Sequence, residues 1–389
     1  MTSIRILMVS SVPLAAPWNG ADKNFARLLV ELDRGHRYTV QTGPVDVWPA
    51  DRVFAIRQRH PEAMPTTRQK LRSLAYMARY ARGADLLHVV ASLARPSRWV
   101  VDGLRAVRTL SGRPLVHTVP SIGDQPAERR NFVADVTVVV SNYTQRLLSN
   151  SGVPNVVRVF PPLDERSLRP AADPAQLAAE LALGSRAVLY AAHYDPESGM
   201  REMIQAFARL PAELGDSVLV LACRTHVGQD PGREAERAFA WAAEAGIAGR
   251  VRVLGNVRDM PALIRACAIT VLVPASLSSK MDLPLVILEA LALGRPVIVA
   301  DRAPMSEALL GEGGLAVKYG DIGGLALALG HLLSHASLRE EMAARGRAAV
   351  LSQCDPAHVV DCYQQFYASA IALHAATKTR AWRRLSDDR

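Results

Sequence analysis

Short continuous apolar runs alternate with helix-periodic stretches along most of the chain. The first run, Ile4 to Val9, precedes a loop and a stretch in which Phe25, Leu28, Leu29 and Leu32 recur at helical spacing. Further runs occupy positions 38–41, 85–90, 115–119, 136–140, 156–160, 187–191, 218–223, 251–254, 269–273 and 297–300. Continuous apolar strands separated by helices are typical of parallel sheets covered on both faces. The pattern occurs in both halves and predicts an α/β protein with two Rossmann-like, doubly wound domains.

Two prolines mark the boundary between the halves. Pro161 and Pro162 end the run at 156–160, and a stretch rich in proline and alanine follows. We therefore expect a first domain over residues 1–165, a linker over 166–184 and a second domain over 185–360.

The most informative stretch of the second domain begins where its strand at 269–273 ends, at Pro274. A polar loop leads into a helix predicted from about Pro284 to Leu293, Gly294 fits the left-handed position after that helix, and a strand follows. Since the loop lies at the carboxyl edge of a parallel sheet, it is placed where open α/β sheets bind ligands.

Two carboxylates of this stretch are candidates for ligand contacts. Glu289 lies in a helix that is apolar nearly all round, where a carboxylate is costly unless it is paired or hydrogen-bonded. It is either a residue at an exposed helix edge, half of an internal salt bridge, or an acceptor for sugar or ribose hydroxyls. Asp282 is either a ligand contact or the N-cap of the helix that starts near Pro284.

Composition narrows the class of protein. The 389 residues are 49% hydrophobic, which supports substantial cores, and the net charge of +9 leaves an anionic surface partner open, including peripheral membrane contact. The four cysteines lack metal-ligand spacing and are read as reduced thiols, and neither a signal segment nor a membrane span is recognised. We expect a cytoplasmic protein that does not bind nucleic acid. The oligomeric state is left open.

The stretch 274–307 resembles the signature of family 4 glycosyltransferases, which have the GT-B fold: two Rossmann-like domains facing a cleft. Glu289 matches the family's second glutamate, which implies a contact with the nucleotide ribose. The first glutamate would fall at Met281, where it is absent and is flanked by Lys280 and Asp282. The resemblance also implies that a helix at about 365–385 crosses back to complete the first domain.

The loop after the strand at 187–191 departs from the family pattern. The family's diphosphate-binding arginine and lysine correspond to His193 and Ser198. A hydroxyl does not replace a fixed charge at a phosphate. Lys280, Arg224 or Lys318 would then supply the charge, the donor would differ, or the protein would bind without catalysing. In the loop after the strand at 269–273, which we call the donor loop, the backbone amide of Leu283 is expected to approach the sugar.

The first domain carries weaker matches. The segment that ends in Gly20 resembles a family glycine loop that faces donor phosphate and acceptor, with Asn19 in place of its first glycine. In many members a histidine stands where Pro120 stands here, which leaves His88 and His117 as the imidazoles near that edge. We read His88 as a core histidine and keep both a core and a catalytic reading for His117.

The resemblance implies a retaining glycosyltransferase that moves a sugar from a nucleotide-sugar co-substrate to a small-molecule or glycan acceptor. No Asp-x-Asp triplet occurs, so a metal-independent reaction without further cofactors is expected. The predicted catalytic residues are His117, His193 and Lys280. Residues predicted to bind the donor are Gly20, Ser198, Asp282, Leu283 and Glu289. The alternatives are a phosphoribosyl-type transferase on the same fold and a catalytically degenerate sugar- or nucleotide-binding subunit.

Overall fold

The computed structural model describes residues 3–10, 21–42, 52–55, 66–92, 98–124, 126, 128–226, 228–276 and 281–387. The chain divides into two compact units. The first combines Met1–Pro162 with Pro356–Arg389, and the second is Leu163–Asp355. The second unit is therefore inserted between two parts of the first along the chain.

The first unit is built on a parallel sheet of seven strands. They are β1 (Arg5–Ser10), β2 (Arg37–Thr42), β3 (Arg52–Ala55), β4 (Leu86–Val90), β5 (Leu115–Val119), β6 (Val136–Val139) and β7 (Val156–Arg158). Their order is β3-β2-β1-β4-β5-β6-β7, and each neighbouring pair is parallel. β4 and β5 are buried at every position, as expected for apolar strands covered on both faces.

Four helices connect these strands: α1 (Ala21–Leu32), α2 (Thr67–Ala81), α3 (Arg98–Ser111) and α4 (Asn142–Asn150). The sequence did not predict α2, because its arginine-rich stretch lacks a strong apolar stripe. Met77 and Ala81 are its buried positions, and a capping box formed by Thr66 and Gln69 fixes its start. Leu74 of α2 lies directly over Gly103 of α3, so the two helices pack closely.

The second unit has a parallel sheet of six strands in the order β10-β9-β8-β11-β12-β13. These strands are β8 (Ala187–His193), β9 (Val218–Arg224), β10 (Val251–Leu254), β11 (Ile269–Leu272), β12 (Val297–Ala300) and β13 (Gly314–Val317). Its helices are α5 (Pro174–Glu180), α6 (Met200–Ala208), α7 (Pro231–Glu244), α8 (Met260–Ala266), α9 (Leu285–Ala292), α10 (Ile322–Ser334) and α11 (Ala336–Gln353). The expected α/β class with two doubly wound parallel sheets is confirmed.

The final helix, α12 (Pro356–Asp387), packs on the first unit, against α1 and β5. Its buried tyrosines enter a polar network: the Tyr363 hydroxyl lies 2.6 Å from Thr118 Oγ1, and the Tyr367 hydroxyl lies 2.9 Å from His88 Nδ1. Gln364 donates to Asp33 at 2.9 Å. Because these groups would be unsatisfied without one another, the network fixes how α12 sits on the unit.

Candidate active site

The second sheet changes direction at β8. The chain runs from β8 outward through β9 to β10, and then returns to the other side of β8 with β11. In an open parallel sheet, ligands bind beyond the carboxyl ends of the strands at such a switch point. The candidate site is therefore the set of loops that follow β8, β9, β11 and β12.

Backbone contacts join three of these loops. Gly199 begins α6 with a φ of +84°, and a Cβ atom at this position would collide with the carbonyl oxygen of Val273. The Ala275 amide donates to the Glu197 carbonyl at 2.8 Å, and the Arg302 guanidinium donates to the Ala275 carbonyl. The left-handed glycine thus allows the loop after β8 to approach the end of β11 closely.

Two imidazoles stack at this edge. The rings of His193, the last residue of β8, and His226, two residues beyond β9, lie 4.7 Å apart between centroids and 7° from parallel. His226 Nε2 also lies 3.6 Å from a carboxylate oxygen of Asp195. The sequence predicted His193 but missed His226. Since β8 and β9 are neighbours in the sheet, their carboxyl ends bring the two rings together.

Ser198 is buried, and its groups serve the local backbone. Its hydroxyl accepts a hydrogen bond from the Met200 amide at 3.3 Å, and its carbonyl accepts one from the Tyr190 hydroxyl. Burial raises the pKa of Tyr190 well above its ordinary value. The hydroxyl that stands at the family's lysine position therefore helps to shape the turn into α6.

The predicted donor-binding residues that follow the gap at 277–280 are buried. Asp282 is 2% exposed, and Leu283 is fully buried. Glu289, at 8% exposure, lies in α9, so the interpretation as an exposed helix edge is wrong. The N-cap of α9 is Pro284, which makes the N-cap interpretation of Asp282 wrong as well. Proline, with its fixed φ, takes the cap position itself, two residues after Asp282.

Two predicted residues, Gly20 and Lys280, lie outside the described residues. Of the other cations considered, Arg224 ends β9, where it pairs in register with His193. Lys318 follows β13 and lines a small pocket with Glu202, Val273 and Tyr319. The Tyr319 hydroxyl donates to the Glu202 carboxylate at 3.0 Å, which joins the loop after β13 to α6.

The two histidines of the first unit are buried in its sheet. His88 Nε2 lies 2.8 Å from Thr118 Oγ1, and with the Tyr367 contact both ring nitrogens are engaged, so its interpretation as a core histidine is confirmed. His117 Nε2 donates to the Ala91 carbonyl at 3.1 Å. Burial lowers the pKa of His88 to about 3 and that of His117 to about 4, so both rings are neutral near pH 7. The catalytic role of His117 stays a prediction.

Other side chains add little chemistry. In the part of the chain that the structure describes, three or more His, Cys, Asp or Glu residues do not cluster in a metal-binding arrangement. The four cysteines form no disulfide, and Cys223, Cys267 and Cys354 are buried. Among the described residues, no helix combines the length and hydropathy needed to cross a membrane.

Residues 185–335, which include the candidate site, match the family model for glycosyl transferases group 1. Together with the two parallel sheets, which the solved structures below share, this match shows the GT-B fold and a similarity to glycosyl transferases group 1 over most of the second unit.

One curated protein is similar to the chain in sequence, and two solved structures are similar to it in fold. The lipopolysaccharide core biosynthesis glycosyltransferase LpsE of Rhizobium meliloti is 28% identical over 258 residues, which span 64% of this chain and 69% of LpsE. Sucrose-phosphate synthase from Thermosynechococcus elongatus superimposes with a TM-score of 0.74 at 20% identity, covering 95% of this chain and 99% of that one. Anabaena HepE, solved in complex with UDP, superimposes with a TM-score of 0.73 at 17% identity over 94% and 100% of the two chains.

Proposed function

We propose that this protein transfers a sugar from a nucleoside-diphosphate donor to an acceptor hydroxyl, with retention of anomeric configuration and without a metal ion. The observation that carries the proposal is the buried carboxylate of Glu289, on the helix that follows the loop after β11. Glu289 matches, in the family that the chain resembles, the glutamate that contacts the nucleotide ribose, and an ionised carboxylate is a strong acceptor for ribose hydroxyls. UDP, bound in the HepE structure, is the first donor nucleotide to test.

The edge of the second sheet offers groups that can act on a leaving diphosphate. Negative charge grows on the diphosphate as the anomeric bond breaks, and a catalyst must stabilise it with fixed dipoles or cations. His193 and His226 stand at this edge with half-buried rings, and the amide end of α6 begins one residue beyond Ser198. In this proposal the imidazole pair and these amides take over the work of the family's guanidinium and ammonium groups.

The nucleotide contact is tested by calorimetric titration with UDP, GDP and dTDP, comparing the parent with Glu289→Gln. We expect one nucleotide to bind and the variant to lose roughly 10- to 100-fold in affinity, because a hydrogen bond to a charged group is lost. Glu244→Gln is the matched control, since Glu244 is exposed at the end of α7. Equal affinities for the parent and Glu289→Gln would exclude the assigned contact.

Retention and metal independence have their own readouts. With UDP-glucose as a trial donor, proton NMR of the sugar first released by slow hydrolysis should show the α-anomer, the configuration present in the donor. The rate should be unchanged after exhaustive treatment with EDTA. A β-anomer as first product, or a rate abolished by EDTA and restored by a divalent cation, would refute the corresponding part of the proposal.

The setting of Ser198 favours a second candidate, a subunit that binds sugar or nucleotide without catalysis. Its buried hydroxyl is engaged with the turn into α6, so it does not replace the charge of a lysine. Tight nucleotide binding without turnover of any sugar donor would favour this candidate. Binding of phosphoribosyl pyrophosphate alone would instead favour a phosphoribosyl-type transferase.

A further inference from the structure

The stacked imidazoles at the edge of the second sheet are positioned by contacts between the two loops that carry them. The Gln229 side chain accepts a hydrogen bond from the His226 amide at 2.6 Å and donates one to the Tyr194 carbonyl at 2.7 Å. The Tyr194 amide donates to the Arg224 carbonyl at 2.8 Å. Because these bonds tie the loop after β9 to the loop after β8, they hold the rings of His193 and His226 face to face.

Two imidazoles at this distance do not titrate independently. A protonated His226 forms an ion pair with Asp195, whose carboxylate oxygen lies 3.6 Å from Nε2 of the ring. A second proton, on His193, places two positive charges in rings whose centroids are 4.7 Å apart, and like charges at this separation repel each other. The protons therefore belong to the pair, which we expect to hold at most one of them in the free protein near neutral pH.

The charged groups around the pair do not stabilise a second proton. On the surrounding loops, strand ends and helix ends, the charged residues that the structure describes include Asp195, Glu197, Glu202, Arg224, Asp230, Glu234 and Arg302. Four of these are bonded to other parts of the unit, namely Glu202, Asp230, Glu234 and Arg302. Arg224, which pairs in register with His193, adds a positive charge to the same strand end. Since Asp195 balances one positive charge, a doubly protonated pair requires an added anion.

A nucleotide-sugar diphosphate is such an anion. It carries one negative charge on each of its two phosphates, and both charges favour the protonated form of a neighbouring imidazole. We propose that binding of the donor diphosphate draws a proton from solution onto the His193–His226 pair, so that both rings are charged only when the site is occupied. This inference rests on the proposed function, which assigns the diphosphate to this edge of the sheet.

The direction of the pH dependence follows from this proton uptake. Because the complex holds more protons than the free protein, donor affinity decreases as the pH rises. An unperturbed histidine titrates near pH 6.5, and the diphosphate holds the second proton to higher pH. Between about pH 6.5 and pH 8 the affinity should therefore fall roughly 10- to 30-fold. The arginine and lysine of the family that the chain resembles keep their charge over this range.

The test is calorimetric titration of the full chain with UDP-glucose, GDP-mannose and dTDP-glucose. Both phosphates of these compounds are esterified, so their charge is constant in this range, whereas the terminal phosphate of UDP titrates near pH 6. At about pH 7.5, the difference between the heats measured in PIPES and in Tris gives the number of protons taken up. We expect roughly half a proton to one proton for each nucleotide sugar bound.

A double variant separates the titrating rings from the charge that they supply. His193→Arg, His226→Gln keeps one fixed cation at the site but no imidazole. It should take up no proton, and its affinity should change less than about twofold over the same pH range. The matched control is His331→Arg, His335→Gln, which makes the same replacements in an exposed histidine pair at the end of α10, with rings 4.8 Å apart between centroids. The control should keep the proton uptake of the parent.

The outcomes distinguish this inference from the proposed function. Binding of a nucleotide sugar to the parent without proton uptake would overturn the inference and leave the proposed function intact. The same uptake in the parent and in His193→Arg, His226→Gln would also overturn it, because the proton would then go elsewhere. If none of the three nucleotide sugars binds the parent, the proposed function fails and the inference fails with it.

Discussion

Each unit of this protein carries two histidines on, or just beyond, neighbouring strands of its parallel sheet, and the two pairs have opposite settings. In the first unit, His88 and His117 are buried, and His88 is bonded at both ring nitrogens. In the second unit, His193 and His226 are half-buried and stack face to face at the end of their strands. A shift of a few residues along a strand therefore separates a structural imidazole from one that a ligand can reach.

The largest expected difference between the two histidine pairs is in how their contribution to folding stability changes at acidic pH. The folded pKa values of about 3 for His88 and about 4 for His117 lie below that of an unfolded histidine, near 6.5. The unfolded state therefore takes up protons first as the pH falls. The stability that these residues contribute is complete above about pH 6.5 and is lost as the pH falls towards 3 to 4. At pH 4.5 the loss from the two histidines together is about 5 kcal/mol.

Hydrogen-exchange mass spectrometry between pH 7 and about pH 4.5, corrected for intrinsic rates, checks this prediction. Peptides from β4, β5 and α12 should lose protection before those from β8 and β9. The loss should be shallower in His88→Gln, which lacks one of the two titrating groups. The same pH dependence in the parent and in His88→Gln would contradict the assignment to His88.

The next effect is the cost of removing each ring at neutral pH. His88→Ala should lower the free energy of unfolding of the first unit by about 3 kcal/mol, because it leaves a cavity and strips partners from Thr118 and Tyr367. His226→Ala should cost less than about 0.5 kcal/mol, since its ring is only half-buried and lies at the edge of the sheet. Urea unfolding of the two variants measures the loss of unfolding free energy in each. Equal losses would contradict the distinction between the buried and the half-buried pair.

A smaller effect is expected on the affinity for the donor nucleotide. If the stacked pair contacts the diphosphate, His193→Ala should weaken binding of the donor nucleotide by about tenfold, the equivalent of one hydrogen bond to a charged group. His117→Ala, measured on folded protein, separates the two readings of that residue. Unchanged turnover in His117→Ala would make it structural, and unchanged binding in His193→Ala would remove His193 from the site.

The smallest expected effect is an increase in nucleotide affinity, in contrast to the decrease expected for His193→Ala. Asp195 places a negative charge 3.6 Å from His226, beside the position proposed for the phosphates. Asp195→Asn removes that charge and should tighten nucleotide binding about twofold, while a half-exposed pair of this kind contributes little stability. Weaker binding in Asp195→Asn would show that the carboxylate orients the histidine, and that this role outweighs its repulsion of the ligand.

Much of the fold could be predicted because its strands are buried on both faces. The structure gives β5, β10 and β12 the bounds that their apolar runs predicted. Helices with weak apolar patterns were missed, namely α2 among arginines and α5 within the expected linker at 166–184. In α5 the alanines give little hydrophobic periodicity, so the local sequence does not predict a helix. Packing against α8 stabilises it instead.

The candidate site was less accessible to sequence reasoning. The apolar neighbours of Glu289 predicted a carboxylate in an unusual setting, and its burial follows from that pattern. His226 stood in no recognisable motif, since its meeting with His193 depends on β8 and β9 being neighbours in the sheet. Of the two interpretations of Asp282, the N-cap was wrong although residue type and spacing suit it, because the backbone gives that position to Pro284.

The return of α12 to the first unit has a consequence for protein synthesis. A ribosome makes Met1–Pro162 first, then the whole second unit, and only afterwards the tyrosines that His88 and Thr118 require. In the nascent chain these polar groups therefore lack their α12 partners until the second unit has been synthesised. A chain that ends after residue 355 would therefore contain the complete second unit, whereas its first unit would lack α12 and be destabilised.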